Sequence, residues 1–155
     1  MALFSFTYDD SSAQKKIVFG GIAAHNDLRP AWQEIYKYLL SVESSQFNSE
    51  GQRGGARWKP LSEKYRRWKE IRYPGKGILE LTGQLKKSLS GAGKGHRKLL
   101  SPRFMVFGTM TPYAIYHQVG TSKMPIRNPV KLTDDDTRKI RSVIKAYLIR
   151  SIGGR

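Results

Sequence analysis

The sequence predicts an α+β fold: a single domain spanning 1–155, with a small, mainly antiparallel sheet packed by two long amphipathic helices and long basic loops between elements. Three observations carry that expectation. Residues 2–8 and 104–109 read as strands. Two stretches, 26–47 and the one following Thr133, carry apolar stripes at helical spacing. No internal repeat or sustained heptad points to a solenoid or coiled coil.

In chain order, "ALFSFTY" sets Phe4, Phe6 and Tyr8 on one side against Ser5 and Thr7, a period-2 strand that "DDSS" ends. "KKIVFGGIAA" at 15–24 is ambiguous, because its β-branched start suits a strand and its Gly pair and alanines suit a loose helix. The stretch 26–47 predicts a helix capped by Asn26 or Asp27, with Pro30 in the first turn where its missing N–H costs little. Leu28, Trp32, Ile35, Tyr36, Leu39 and Val42 form its apolar face, and Glu34, Lys37 and Glu43 its exposed edge. A Gly-rich basic loop follows at 51–60. The segment 61–73 predicts a short basic helix with Ser62 as N-cap and Tyr65, Trp68 and Ile71 on one side. At 78–90, Thr82 is placed to cap a helix carrying Leu85 and Leu89. Residues 91–103, "GAGKGHRKLLSPR", read as a second mobile basic loop. After the strand "FMVFGT" comes a short helix or turn in "PYAIYHQVGT", and Pro125 and Pro129 then keep "KMPIRNPVKL" extended. Thr133 with Asp134, Asp135 and Asp136 makes a capping arrangement for the last helix, whose stripe is Ile140, Val143, Ile144, Tyr147 and Leu148.

The net charge of +16 is unevenly placed. Residues 1–52 carry 4 basic and 6 acidic side chains, residues 53–103 carry 15 and 3, and residues 104–155 carry 9 and 3. Such a concentration in the middle third expects a polyanion or an acidic protein surface. No apolar run approaches the length of a membrane span, and the N-terminus lacks the basic region of a signal peptide. Without cysteine there are no disulfides, iron–sulfur clusters or Cys-type zinc sites. These features fit a protein made and used in a cytoplasm.

Candidate catalytic chemistry is thin. His25, His96 and His117 lie far apart without a metal-ligand spacing, and the three consecutive aspartates point in different directions from a helical turn. "GQRGG" and "GAGKG" lack the strand–helix setting of a phosphate loop. No catalytic, cofactor or metal residue is therefore assigned. His117 is expected to hydrogen-bond and fix a turn, as a polar group at least half-buried would. A small nuclease is the weakest reading, since it has no catalytic spacing to rest on.

Sequence-independent nucleic-acid binding is the alternative, because Trp58, Tyr65, Trp68 and Tyr73 are interleaved with basic residues. Helical period and burial alone also account for Tyr65 and Trp68, and Trp58 could anchor its loop.

The ordered set of small motifs is more specific than any one of them. Trp58-Lys59-Pro60-Leu61-Ser62 is followed by Leu81-Thr82-Gly83-Gln84-Leu85, then Tyr113-Ala114-Ile115 with His117-Gln118 and Gly120, then Pro125-Ile126-Arg127. Over about residues 32–150 this order resembles the phage virion morphogenesis family, the tail-completion or head–tail joining proteins of tailed bacteriophages. The chain departs from the family pattern in Asn128-Pro129 after Arg127 and in Val119 after Gln118.

The resemblance implies a non-enzymatic virion component of the head–tail junction, made in the host cytoplasm. It would form an oligomeric ring, a hexamer first and a dodecamer as the alternative, and meet connector or neck proteins and the tail tube or terminator. No cofactor or membrane is implied. Trp58, Pro60, Leu61, Thr82, Gly83, Leu85, Tyr113, His117, Gln118, Gly120, Pro125 and Arg127 would be its structural signature. In "YAIYHQVGT", Tyr113, Ile115 and Tyr116 are expected to pack, His117 and Gln118 to hold a turn, and Gly120 to let the chain reverse. Arg53, Arg57, Lys94, Arg97 and Lys98 are the residues expected to face acidic partners or DNA in the channel.

Overall fold

A computed structural model describes residues 6–7, 14–19 and 27–153, with the backbone alone at 6–7, 14–19 and 152–153. Among the described residues four strands form one antiparallel sheet: β1 (Phe6–Thr7), β2 (Gln14–Phe19), β3 (His96–Leu100) and β4 (Phe104–Thr109), in the order β1-β2-β4-β3. The β-branched start of the ambiguous 15–24 segment is thus strand. Most of the strand expected at 2–8, and residues 20–24, lie outside the described residues.

Five helices accompany the sheet among the described residues. They are α1 (Arg29–Asn48), α2 (Glu63–Arg72), α3 (Gln84–Leu89), α4 (Ala114–Val119) and α5 (Asp134–Gly153). A 3-10 turn at Gln52–Gly54 interrupts the first basic loop.

The expected loop at 91–103 is corrected: its centre is an edge strand. Gly95 turns the chain with φ 85° and accepts the Met110 N–H at 2.7 Å, which sets β3 against β4 from His96↔Thr109 to Leu100↔Met105. Pairing of this kind is decided by the partner strand, so local glycine and lysine content misread it. Arg97 and Lys98 then stand exposed on the outer strand, where charge discourages unwanted edge pairing.

The main core lies where α1 packs on β4 and α5. Leu28, Trp32, Ile35, Leu39 and Val42 meet Met105 and Phe107 on one side and Ile140, Val143 and Ile144 on the other. Tyr36 is partly buried at its border and bonds His96 Nε2 at 3.0 Å. A second cluster of Phe47, Trp58, Leu85, Leu89, Ala114 and Val130 closes the C-terminal end of α1.

At the start of α1, Asp27 accepts the Arg29 N–H at 3.0 Å, while Asn26 lies outside the described residues. The capping of α5 is reciprocal: Asp136 Oδ2 accepts the Thr133 N–H at 2.8 Å and Thr133 Oγ1 accepts the Asp136 N–H at 3.3 Å.

Two helices differ from expectation in what they bury. Glu43 is buried rather than on an exposed edge, in electrostatic reach of Arg53. Tyr65, Trp68 and Ile71 of α2 are exposed, and the residue that α2 buries is Lys69. Helical period groups residues on a face, but does not say whether another element covers it.

Candidate functional site

Four separated segments converge beside the second cluster. The first is "WKPLS". Trp58 is seated by its N–H on Glu50 O at 2.7 Å and by Nε1–H on Asn128 O at 3.1 Å, with its ring edge-on to Phe47. Its indole lies so close to Gly51 that a Cβ there would come within 2.4 Å of the ring, so the glycine makes room for the anchor.

The second segment is 78–85. Glu50 Oε1 accepts the Ile78 N–H at 3.0 Å, Leu79 takes a left-handed φ of 62°, and Gly83 turns into α3 with φ 77°. Thr82 Oγ1 accepts the Gln84 N–H at 3.3 Å, but the N-cap position of α3 is Gly83 and not Thr82 as expected; Leu85 is buried. A left-handed leucine is strained by about 1–2 kcal/mol, and Leu79 is held there by packing against the second cluster.

The third and fourth segments are α4 and 120–130. The side chain of Gln118 donates to Val130 O at 2.9 Å and accepts the Val130 N–H at 3.3 Å, so it holds the turn as expected. His117 contributes its carbonyl, which accepts the Arg127 N–H at 2.9 Å, whereas its Nδ1 has no hydrogen-bond partner among the described residues. The expected imidazole bond is therefore corrected. Burial, then the nearby Arg127 charge, lower the His117 pKa and keep the ring neutral. Tyr113 and Tyr116, expected to pack, are exposed, and only Ile115 is half-buried. Gly120 reverses the chain with φ 75°, and a Cβ there would meet Ile126 Cγ1 at 2.9 Å.

Arg127 ties the first and last segments together. Its guanidinium donates to Lys59 O at 2.7 Å and to Pro60 O at 2.9 Å, and the residue is 7% exposed. Between the segments runs an open, mostly apolar groove of about 900 Å³. Pro60, Leu61, Thr82, Gly83, Leu85, Tyr113, His117, Pro125 and Arg127 line it. Trp58, Gln118 and Gly120 hold those segments in place from behind.

Sequence reasoning did not single out Lys69, which lines the groove together with Tyr65, Lys123 and Met124. The four-residue spacing of Tyr65 and Lys69 was the available signal, since it puts both on one side of α2. Tyr65 stacks on Trp68 with centroids 5.4 Å apart, and Trp68 lies 5.8 Å from Tyr73, so an aromatic row flanks the opening.

The five basic residues expected to face a partner are placed differently from one another. Arg53 is turned inward: its guanidinium grips the fully buried Asp136, which also accepts from Tyr38 Oη at 2.6 Å. That pair was not legible, because the residues are far apart in sequence and the aspartate looked like one of three capping carboxylates. Burial by itself would raise the Asp136 pKa, but bonds from Arg53, Thr133 and Tyr38 together hold it at about 2. Burial, then the hydrogen bond to Asp136, push Tyr38 up to about 12. Arg57 is exposed and paired with Glu50 at 3.0 Å. Lys94, Arg97 and Lys98 are exposed on and just before β3, with Lys98 Nζ 4.0 Å over the Tyr36 ring.

As chemistry, the groove offers apolar surface, the cations Lys69, Lys123 and Arg127, and one carboxylate, Glu80, paired with Lys86. Among the described residues no three His, Asp or Glu side chains gather as a metal site, and no hydrogen bond links Ser62 or Thr82 to His117. No helix described is long and apolar enough to cross a membrane.

A model of the phage virion morphogenesis family matches residues 10–149. The Mu-like prophage FluMu G protein 1 of Haemophilus influenzae is 24% identical over 147 residues, covering 92% of this chain and 93% of that protein. No solved structure matches the chain.

Proposed function

The chain belongs to the phage virion morphogenesis family, and from that premise we propose that it is a ring-forming tail-completion or head–tail joining protein. Its place is the head–tail junction of a tailed bacteriophage, where it finishes the tail and lets it attach to the DNA-filled head. The coarser statement, a virion-associated structural role in phage morphogenesis, follows from the family itself.

The observation that carries the finer reading is the uncovered apolar surface around the groove. Tyr65, Trp68, Tyr113, Tyr116, Val119 and Ile126 are all at least a third exposed on one small chain. Apolar surface gathered at a groove marks an interaction site, such as a joining protein needs for its neighbours in the virion. A hexamer is the first expectation and a dodecamer the second. The exposed bases of the β3 edge suit acidic neighbours or DNA passing through the channel.

The test is electron microscopy of lysates from a phage carrying a stop codon in this gene, with antibody labelling of the complete particle. Separate full heads and unjoined tails, with label at the junction of normal particles, are the expected result. Normal joined particles without this chain would refute it.

A second reading, sequence-independent nucleic-acid binding, draws on the exposed Tyr65–Trp68–Tyr73 row beside basic residues. It requires affinity for DNA that falls steeply with salt, and no junction defect.

A further inference from the structure

The walls of the groove carry more positive than negative charge: Lys69, Lys123 and Arg127 against Glu80, which is itself paired with Lys86. Arg127 is nearly buried, and the acceptors of its guanidinium are two backbone carbonyls. Among the described residues no carboxylate lies in ion-pair distance of it, and no hydrogen bond engages its Nη1. Lys69 is 4% exposed and donates to Gly77 O at 2.5 Å. The carboxylates that act on it through space, Glu80 and Glu50, are bonded to Lys86 and Arg57. Burial lowers the pKa of both cations, as it does where charge is held without a counter-ion. The surrounding segment 57–87 has ten basic side chains against three acidic.

We propose that the groove binds an acidic, apolar peptide segment of another protein of the same virion. A carboxylate of that segment docks on Arg127, and an apolar side chain lies among Leu61, Leu81 and Met124. A carboxylate is the group that this charge favours most, and a buried guanidinium with a donor still vacant recognises it by direction as well as sign. The apolar lining calls for a side chain beside it, because a phosphate backbone would gain nothing from leucine and methionine.

Two other occupants fit less well. For nucleic acid, Tyr65 and Trp68 stack on each other at 25° rather than stand apart to receive a base, and Arg66 and Arg67 are engaged by Glu63 and Glu70. A second copy of a chain with net charge +16 would bring like charge to a cationic groove.

The source of the peptide rests on the assembly role proposed above. The test is an array of overlapping peptides covering every structural protein encoded with this chain, the chain itself included, probed with the purified full-length protein. Hits are then measured by fluorescence anisotropy, each beside a version with its acids changed to amides. Hits should be acidic and carry large apolar residues, and the amide versions should bind roughly tenfold more weakly. Lys123→Glu and Tyr65→Ala change exposed residues that line the groove, so folding is not at stake, and each should weaken binding by about as much. Arg127→Lys, checked for its fold by circular dichroism, should weaken binding although it keeps the charge.

A silent array, hits indifferent to the amide change, or binding untouched by Lys123→Glu and Tyr65→Ala would overturn the assignment. So would hits confined to this chain's own sequence, or displacement of the peptides by oligo-dT. A silent array with unjoined heads and tails in the stop-codon phage refutes the groove and leaves the assembly role. Acidic hits with normal particles do the reverse.

Discussion

Arg53→Met removes the guanidinium that holds Asp136 and keeps most of the side-chain bulk. Taking one partner from a buried ion pair costs about 3–5 kcal/mol, because the other charge stays desolvated. Here the Arg53 side chain is 22% exposed, and Thr133 and Tyr38 still donate to the carboxylate, so the cost falls to about 2–3 kcal/mol. The pH dependence gives an independent check. Asp136 is depressed from 3.8 to about 2, so in the native protein it contributes about 2 kcal/mol. A depressed carboxylate stabilises above its unfolded pKa and loses that contribution as pH falls through the folded one. The contribution is therefore complete above about pH 4 and gone near pH 2. Without Arg53 the burial of Asp136 is less opposed and its pKa rises, so the gap between the two proteins is widest at neutral pH and closes toward pH 2. Urea unfolding followed by tryptophan fluorescence, with buried Trp32 and Trp58 as reporters, measures both quantities. A gap under about 0.5 kcal/mol at neutral pH, or one unchanged at low pH, would refute an inward-facing Arg53.

Three further outcomes are expected. Trp58→Ala removes a buried ring and should cost about 3–5 kcal/mol, whereas Trp68→Ala, 42% exposed in the wild type, should stay under about 1 kcal/mol in the same urea assay. Gly120→Ala and Gly83→Ala both force a left-handed alanine, but a Cβ meets Ile126 only at Gly120, so thermal unfolding should show costs of about 3 and about 1 kcal/mol respectively. Tyr36→Phe deletes the bond to His96 Nε2 and should cost about 1 kcal/mol; an unchanged melting temperature would show that His96 finds another partner there.

The longest elements were legible because their signals are local. The stripes of α1 and α5 each need only one continuous buried face, and Pro30, Thr133 and Asp136 mark helix starts by chemistry that acts within a few residues. Strand β4 announced itself by its own β-forming run. The set of motifs could likewise be read in order, which carried the family resemblance without any knowledge of what the motifs touch.

Tertiary structure alone decided the rest. Residues 96–100 became a strand because β4 offered them an open edge, and nothing within the segment states that. On α2, the period groups Tyr65 with Trp68, but it was the turn at Gly77 that drew Lys69 inward and left the aromatics out. Charge is equally silent about pairing: Arg53 read as an outward base until Asp136, 83 residues away, supplied its counter-ion. Arg127 read as a motif letter until its guanidinium was seen bridging Lys59 and Pro60. A sequence states what each residue needs locally, whereas which needs are met by distant neighbours, and which are left for a partner, depends on where the folded chain brings them.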